Sequence, residues 1–204
     1  MRIVDISVPV TSGMFRFPRP DHVTVSITEE GTYDEVDCRT SRIVMGSHSG
    51  THIDAPMHMY RDGASIDRVP LSNLVGPARV IRVRAGPGSS IDVDSIDPEI
   101  LDEPRVILDS GWYRKWATED YYRDFPVLAP RLAKLMVGKG VRCLVVDLPL
   151  TLEIHNIILG SGGCQVENVV GLDQIKGDRV TLVALPLKIA GIDAAPARVI
   201  VLEE

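Results

Sequence analysis

Apolar and polar positions change period several times along the chain, and those changes mark out its elements. Arg2–Val10 carries enough alternating β-branched residues to predict a strand. It runs into a Gly/Pro-punctuated loop, TSGMFRFPRPD, whose aromatics are expected to be exposed. Val23–Ile27 and Arg42–Met45 are further predicted strands, the second leading through Gly46 and Ser47 into a cluster of histidines. Ala78–Val83 and Arg105–Leu108 read as strands from their Val, Ile and Leu content, and Val141–Val146 is an unbroken apolar run of the kind buried on both faces. Between Pro126 and Gly140 the spacing of Leu128, Leu132, Leu135 and Met136 predicts a helix, with Pro130 in its first turn and Gly138 or Gly140 near its end. A second, turn-rich helix is expected near Val166–Ile175, feeding strands at Val180–Leu185 and Arg198–Leu202. The sum is a strand-rich α/β chain with about nine or ten short strands and two or three short helices.

Composition narrows the class. A chain of 204 residues, 45% hydrophobic and 25% charged, can bury a full core yet stays within the range of one domain. No repeat, low-complexity tract or charge run marks a linker, so one domain spanning residues 1–204 is expected. The net charge of -6 and the lack of any basic run argue against nucleic acid or an anionic membrane as partner. The longest apolar stretches, such as Cys143–Val146 and Val180–Leu187, fall far short of the roughly 20 residues of a membrane span. MRIVDISVPV lacks the features of a secretory signal, which makes the cytoplasm the expected location. Cys38, Cys143 and Cys164 are odd in number and widely spaced, fitting neither a disulfide framework nor a zinc motif of paired cysteines.

Candidate chemistry concentrates in the histidines. His48, His52 and His58 fall within eleven residues, and His155 stands far downstream. Gly50, Thr51 and Pro56 exclude a helix there, so ligands cannot come from one helical face. In an extended segment His52 and Asp54 share a face, and Gly50 lets the chain bend so that His48 approaches the same point. Two imidazoles and a carboxylate suit Zn²⁺, and also Mn²⁺ or Fe²⁺, and leave positions open for water. The DAP turn at Pro56 holds Asp54 and His58 in a fixed relation. A serine nucleophile lacks its GxSxG elbow, and Cys164, in GSGGCQVEN, reads as a packing or loop residue before a nucleophile.

The string HSGTHIDAPMH, residues 48–58, resembles the HxGTHxDAPxH signature of the cyclase-like metal-dependent hydrolases, a family that includes bacterial kynurenine formamidase. The opening DIS-V, the DGASI after the motif, the segment APRLAKLMVGKGVRCLVVD and the closing ALPLKIAGIDAAPARVIV extend the likeness over most of the chain. The resemblance implies a swivelling β/β/α architecture and a homodimer or larger assembly, to which the apolar early loop could contribute. It implies two divalent ions per subunit, Zn²⁺ first and Mn²⁺ second. His48, His52 and Asp54 would surround one ion, with Asp54 bridging to the other, completed by His155 and Glu167, which stand at the implied spacing of twelve. His58, free of coordination, would carry the proton.

The implied activity is hydrolysis of a small amide, N-formylkynurenine first, and a cyclic imide, isatin-like lactam or lactone second. Phe17 would meet the substrate ring, although Phe17-Pro18 stands where kynurenine formamidases typically have Trp-Pro; loop packing is the lesser alternative for Phe17. DLPLTLEIH also replaces a longer stretch before His155, which reshapes that wall. Two readings of other classes are a cupin-like metal oxidoreductase, whose HxH pair with a close glutamate is missing, and a non-catalytic metal-binding protein, whose sites are usually closed and cysteine-rich.

Overall fold

The computed structural model describes residues 1–204. Its strands are β1 (Arg2–Asp5), β2 (Ser26–Gly31), β3 (Thr40–Val44), β4 (His52–Asp54), β5 (Val75–Arg82), β6 (Ser90–Ile91), β7 (Arg105–Asp109), β8 (Val127–Leu128), β9 (Cys143–Val146), β10 (Cys164–Glu167), β11 (Arg179–Pro186) and β12 (Ala194–Glu203). The helices are α1 (Tyr33–Val36), α2 (Leu71–Leu74), α3 (Pro130–Gly138) and α4 (Leu152–Gly160). None is long and apolar enough to cross a membrane.

The main sheet runs β1-β12-β11-β5-β7-β9-β10-β4, and β4 also bonds β12, so the strands from β12 through β4 close into a ring. Closure leaves β1 on the far end of β12, beyond the three residues that β4 occupies. The strands β5, β7, β9 and β10 are mutually parallel, whereas β11, β12 and β4 join antiparallel.

Period-two alternation sorts the central strands onto two cores. Ile107, Cys143, Val145 and Val166 join the cluster inside the ring, with Val4, Ile53, Leu182 and Val201 from the other strands. Val106, Leu108, Leu144 and Val146 face the other way, against Leu132, Ala133 and Met136 of α3 and Ile154 and Ile158 of α4. The run Cys143–Val146 is buried throughout because it meets the ring interior on one side and helices on the other. Each such side chain contributes about 1.5–3 kcal/mol by leaving water.

The helix expected between Pro126 and Gly140 is α3. Pro130 occupies its first turn, and Gly140 lies past its end with φ 91°. Val127–Leu128 before it is extended, paired with Ser90–Ile91. The helix expected near Val166–Ile175 is a correction. That segment holds the end of β10 and a single 3-10 turn at Leu172–Gln174, because Asn168 and Gly171 adopt φ of 59° and 66° and break any helical path. The helix lies earlier, at α4, where Ile154, His155, Ile158 and Leu159 form one buried stripe.

Strands expected at Val23–Ile27 and Arg42–Met45 appear shifted, as the hairpin β2–β3, which stays apart from the ring. The early-loop aromatics are half-buried rather than exposed. Phe15 stacks on Tyr122 at 5.2 Å and meets Trp116 and Tyr121 edge-on.

Candidate metal centre and active-site pocket

The segment between β3 and β4 is a tight bend. Ser49 Oγ accepts from Gly46 N at 3.0 Å, and Gly50 sits at φ 62°, where a Cβ would press Met14 Cε at 3.2 Å. The bend returns His48 over His52, with ring centroids 4.9 Å apart. In β4, Ile53 enters the ring interior, so His52 and Asp54 face outward together. Register then brings in distant chain: β10 sets Glu167 opposite His52, and β12 sets Ala194 opposite Asp54, with Asp193 immediately before it. His155 reaches the same point from α4, and His58 from a 3-10 turn begun by Pro56.

Asp54 lies at the centre, fully buried, and neither of its carboxylate oxygens has a properly formed hydrogen bond; Glu167 Oε1 shares that condition. Imidazole nitrogens surround them. His48 Nδ1 is 2.9 Å and His52 Nε2 3.4 Å from Asp54 Oδ1, while His155 Nε2 is 3.4 Å from Asp54 Oδ2 and 3.0 Å from Glu167 Oε1. The far nitrogens of two rings are tied back to backbone, His52 Nδ1 to Gly50 O and His155 Nδ1 to Thr151 O, each at 2.9 Å. A carbonyl only accepts, so both rings carry hydrogen on Nδ1 and leave Nε2 as the nitrogen that faces the carboxylates, the orientation typical of metal-binding histidine.

Three donor groups each fall within 4.8 Å: His48, His52 and Asp54; Asp54, His155 and Glu167; and His48, His58 and Asp193. Buried carboxylates cost several kcal/mol each without a counter-charge. The mixed nitrogen and oxygen donors fit a divalent cation of the Zn²⁺ or Mn²⁺ kind.

Electrostatics point the same way. Burial resists charge on His48, but the Asp193 and Asp54 carboxylates beside it outweigh burial and raise its pKa to about 10. In His155 burial is likewise overcome, by Asp54 and Glu167, and the pKa rises to about 11. Burial resists charge on Asp54 too, yet the His52, His155 and His48 imidazoles hold it well below the usual carboxylate range. Asp193 is held low by His48 and His58. The centre draws positive charge.

It opens into a cavity of 620 Å³ walled by Phe17, His22, Met59, Tyr122, Leu150 and Leu152. Phe17 lines the pocket of its own chain, edge-on to Tyr122 at 4.9 Å. The residues expected to hold metal, carry the proton or meet substrate converge here: His48, His52, Asp54, His58, His155, Glu167 and Phe17. Three others were missed. Asp193 meets His48 Nε2 at 2.7 Å and His58 Nδ1 at 3.4 Å. Asn168 lines the pocket. His22, the one histidine left aside, lies 5.3 Å from Phe17 and 6.1 Å from His48, and burial and His48 keep it below the usual imidazole range. Cys164 is outside the pocket, buried beside Cys143 on the next strand, which with burial holds its thiol well above the usual range. It is packing, as expected.

Comparison with known proteins gives the family. The Cyclase family profile matches residues 4–151. A kynurenine formamidase of Salinibacter ruber (strain DSM 13855 / M31) is 30% identical over 214 aligned positions, covering 98% of this chain and 97% of that protein. A solved structure from Bacillus stearothermophilus, described as a predicted metal-dependent hydrolase, superposes with a TM-score of 0.82 at 28% identity over 98% of this chain and 97% of that one. Isatin hydrolase A from Ralstonia solanacearum shares the fold, with a TM-score of 0.84 at 24% identity over 99% and 92% of the two chains. Sequence motif, strand ring and donor cluster meet in one assignment: this chain belongs to the cyclase family of metal-dependent hydrolases.

Proposed function

We propose that residues 1–204 act as one hydrolase domain that cleaves the C–N bond of a small amide, N-formylkynurenine first. The observation that carries this reading is Asp54: a buried carboxylate, ringed by imidazole nitrogens, at the foot of an open pocket with an aromatic wall. His48, His52 and Asp54 would hold one ion, and Asp54, His155 and Glu167 a second, both Zn²⁺ with Mn²⁺ as the substitute. A divalent ion, when bound, lowers the pKa of a water molecule and polarises the substrate carbonyl.

The chain's own groups do the rest. Phe17 and Tyr122 flank the aryl ring and orient the formyl group toward the donor cluster. His58, half-exposed to the cavity, is turned by Asp193 and takes the proton of the attacking water. As the water oxygen joins the formyl carbon and the C–N bond breaks, His58 delivers that proton to the departing nitrogen. Formate and an arylamine result.

A cyclic amide such as an isatin-like lactam is the second substrate class. Pro149, Leu150 and Leu152 favour it, since their side chains offer that wall no hydrogen-bond donor for an amino-acid tail. Three free cysteines suit a reducing compartment, the cytoplasm, and the chain is proposed to work as a homodimer or tetramer.

The test is metal analysis of protein purified without added metal, with formamidase and lactamase assays on wild type, His52→Ala and His58→Ala. About two equivalents of metal, reduced in His52→Ala, with metal retained and turnover down 10²–10⁴-fold in His58→Ala, support the reading. Protein that holds no metal refutes it.

A further inference from the structure

Behind the donor cluster runs a chain of hydrogen bonds that the proposed chemistry leaves unused. Asn168 follows Glu167 at the end of β10, is buried, and has its backbone in the left-handed region at φ 59°. Its Nδ2 donates to Gly50 O at 3.0 Å, and its Oδ1 accepts from the Tyr121 hydroxyl at 3.0 Å. Its backbone carbonyl accepts from Thr51 Oγ1 at 2.7 Å. Gly50 O is the same carbonyl that accepts from His52 Nδ1 at 2.9 Å.

The chemistry of these groups fixes their orientation. A carbonyl accepts and never donates, so Asn168 must present its NH₂ to Gly50. From the other end the fully buried Tyr121 hydroxyl, closer to Asn168 Oδ1 at 3.0 Å than to its other acceptor, Asp147 O, at 3.3 Å, suits the same amide orientation. Two donors occupy both lone pairs of Gly50 O. Without the amide, that carbonyl, on a glycine at φ 62°, would keep only the His52 ring as a side-chain hydrogen-bond partner. Position 168 lies in the left-handed region, which glycine and asparagine both adopt readily.

We infer that Asn168 is a positioning residue whose amide, through the Gly50 carbonyl, holds His52 in the Nδ1–H tautomer with Nε2 turned toward Asp54. This deepens the metal-hydrolase reading and rests on it. One side chain thereby ties the 48–54 bend to the strand that carries Glu167.

Three variants separate the parts. Asn168→Gly keeps the backbone conformation and deletes the amide. Asn168→Asp keeps the shape and the acceptor for Tyr121 but has no donor for Gly50. Tyr121→Phe keeps the amide and removes its lock. Metal-free proteins are titrated with Zn²⁺ against a chromophoric chelator, and the visible spectra of their Co²⁺ forms are recorded. Zn²⁺ affinity should fall about 10- to 100-fold in both Asn168 variants and less in Tyr121→Phe, with the Co²⁺ bands displaced in each. A general loss of stability would not displace those bands. Binding within about twofold of wild type and unmoved Co²⁺ bands in both Asn168 variants overturn the inference. Wild-type protein that takes up neither ion overturns the metal-hydrolase reading itself, and the inference with it, before any variant is compared.

Discussion

Asp54→Asn removes one charge from the carboxylate that belongs to two of the three donor groups, while Glu167→Gln touches only one of those two. The difference can be read as heat stability. A ligand that binds only the folded state at 100 times its dissociation constant adds about 2.7 kcal/mol. For a chain of this length each kcal/mol is worth about 2–4 °C, so each filled site should raise the melting temperature by about 5–11 °C. Differential scanning calorimetry of chelator-treated protein, repeated with Zn²⁺ added, should show two such increments in wild type. Glu167→Gln should keep the one that His48, His52 and Asp54 support, and Asp54→Asn should lose both. The amide conserves the shape of a fully buried side chain, so loss of packing does not mimic the effect. A Zn²⁺ shift in Asp54→Asn equal to that of wild type would refute the argument that this carboxylate joins the two groups.

The remaining expectations concern substrate, core and pH. Phe17→Ala should raise KM for an aryl amide about 2- to 13-fold with kcat little changed, from the loss of about 0.5–1.5 kcal/mol of ring contact; a fall confined to kcat in steady-state kinetics would contradict it. Met136→Ala, fully buried between α3 and the sheet, should lower unfolding free energy in urea by about 2–5 kcal/mol without altering Zn²⁺ affinity. In metal-free protein His48 and His155 bind protons more tightly folded than unfolded, with folded pKa values of about 10 and 11. Their contribution is therefore fully present below about pH 6.5 and is lost as pH rises through 10 and 11, which urea titrations over that range would show as falling stability. If His48→Gln and His155→Gln leave that pH dependence intact, these two residues are not its source.

The local part of the site was legible because its geometry is local. A bend at Gly50, a two-residue repeat between His52 and Asp54, and a proline turn before His58 follow from residue types alone. His155 and Glu167 were reachable only through family resemblance, since they lie on a helix and the following strand, and Glu167 reaches His52 only because β10 pairs with β4. Asp193 and Asn168 depend on ring register and on a left-handed residue, neither of which leaves a periodic trace. LEIHNIILG gave no helix signal because its isoleucines favour a strand when tertiary packing is unknown; buried against the sheet, they form α4. Strand positions in the ring were legible where apolar runs were continuous, as in β7, β9 and β11.

The segment from His48 to Pro56 is constrained on both sides at nearly every step. Ser49 holds the bend, Gly50 meets Met14, Thr51 braces both Val8 and Asn168, Ile53 fills the core, and Ala55 is fully buried, in between the donors themselves. A lineage built on this chain has almost no room to vary there. New substrates must be reached through the pocket walls, the early loop around Phe17 and the Pro149–Leu152 stretch, whose side chains lie outside the donor groups. Reaction type and substrate range are thus written in separate stretches of chain, free to change at different rates.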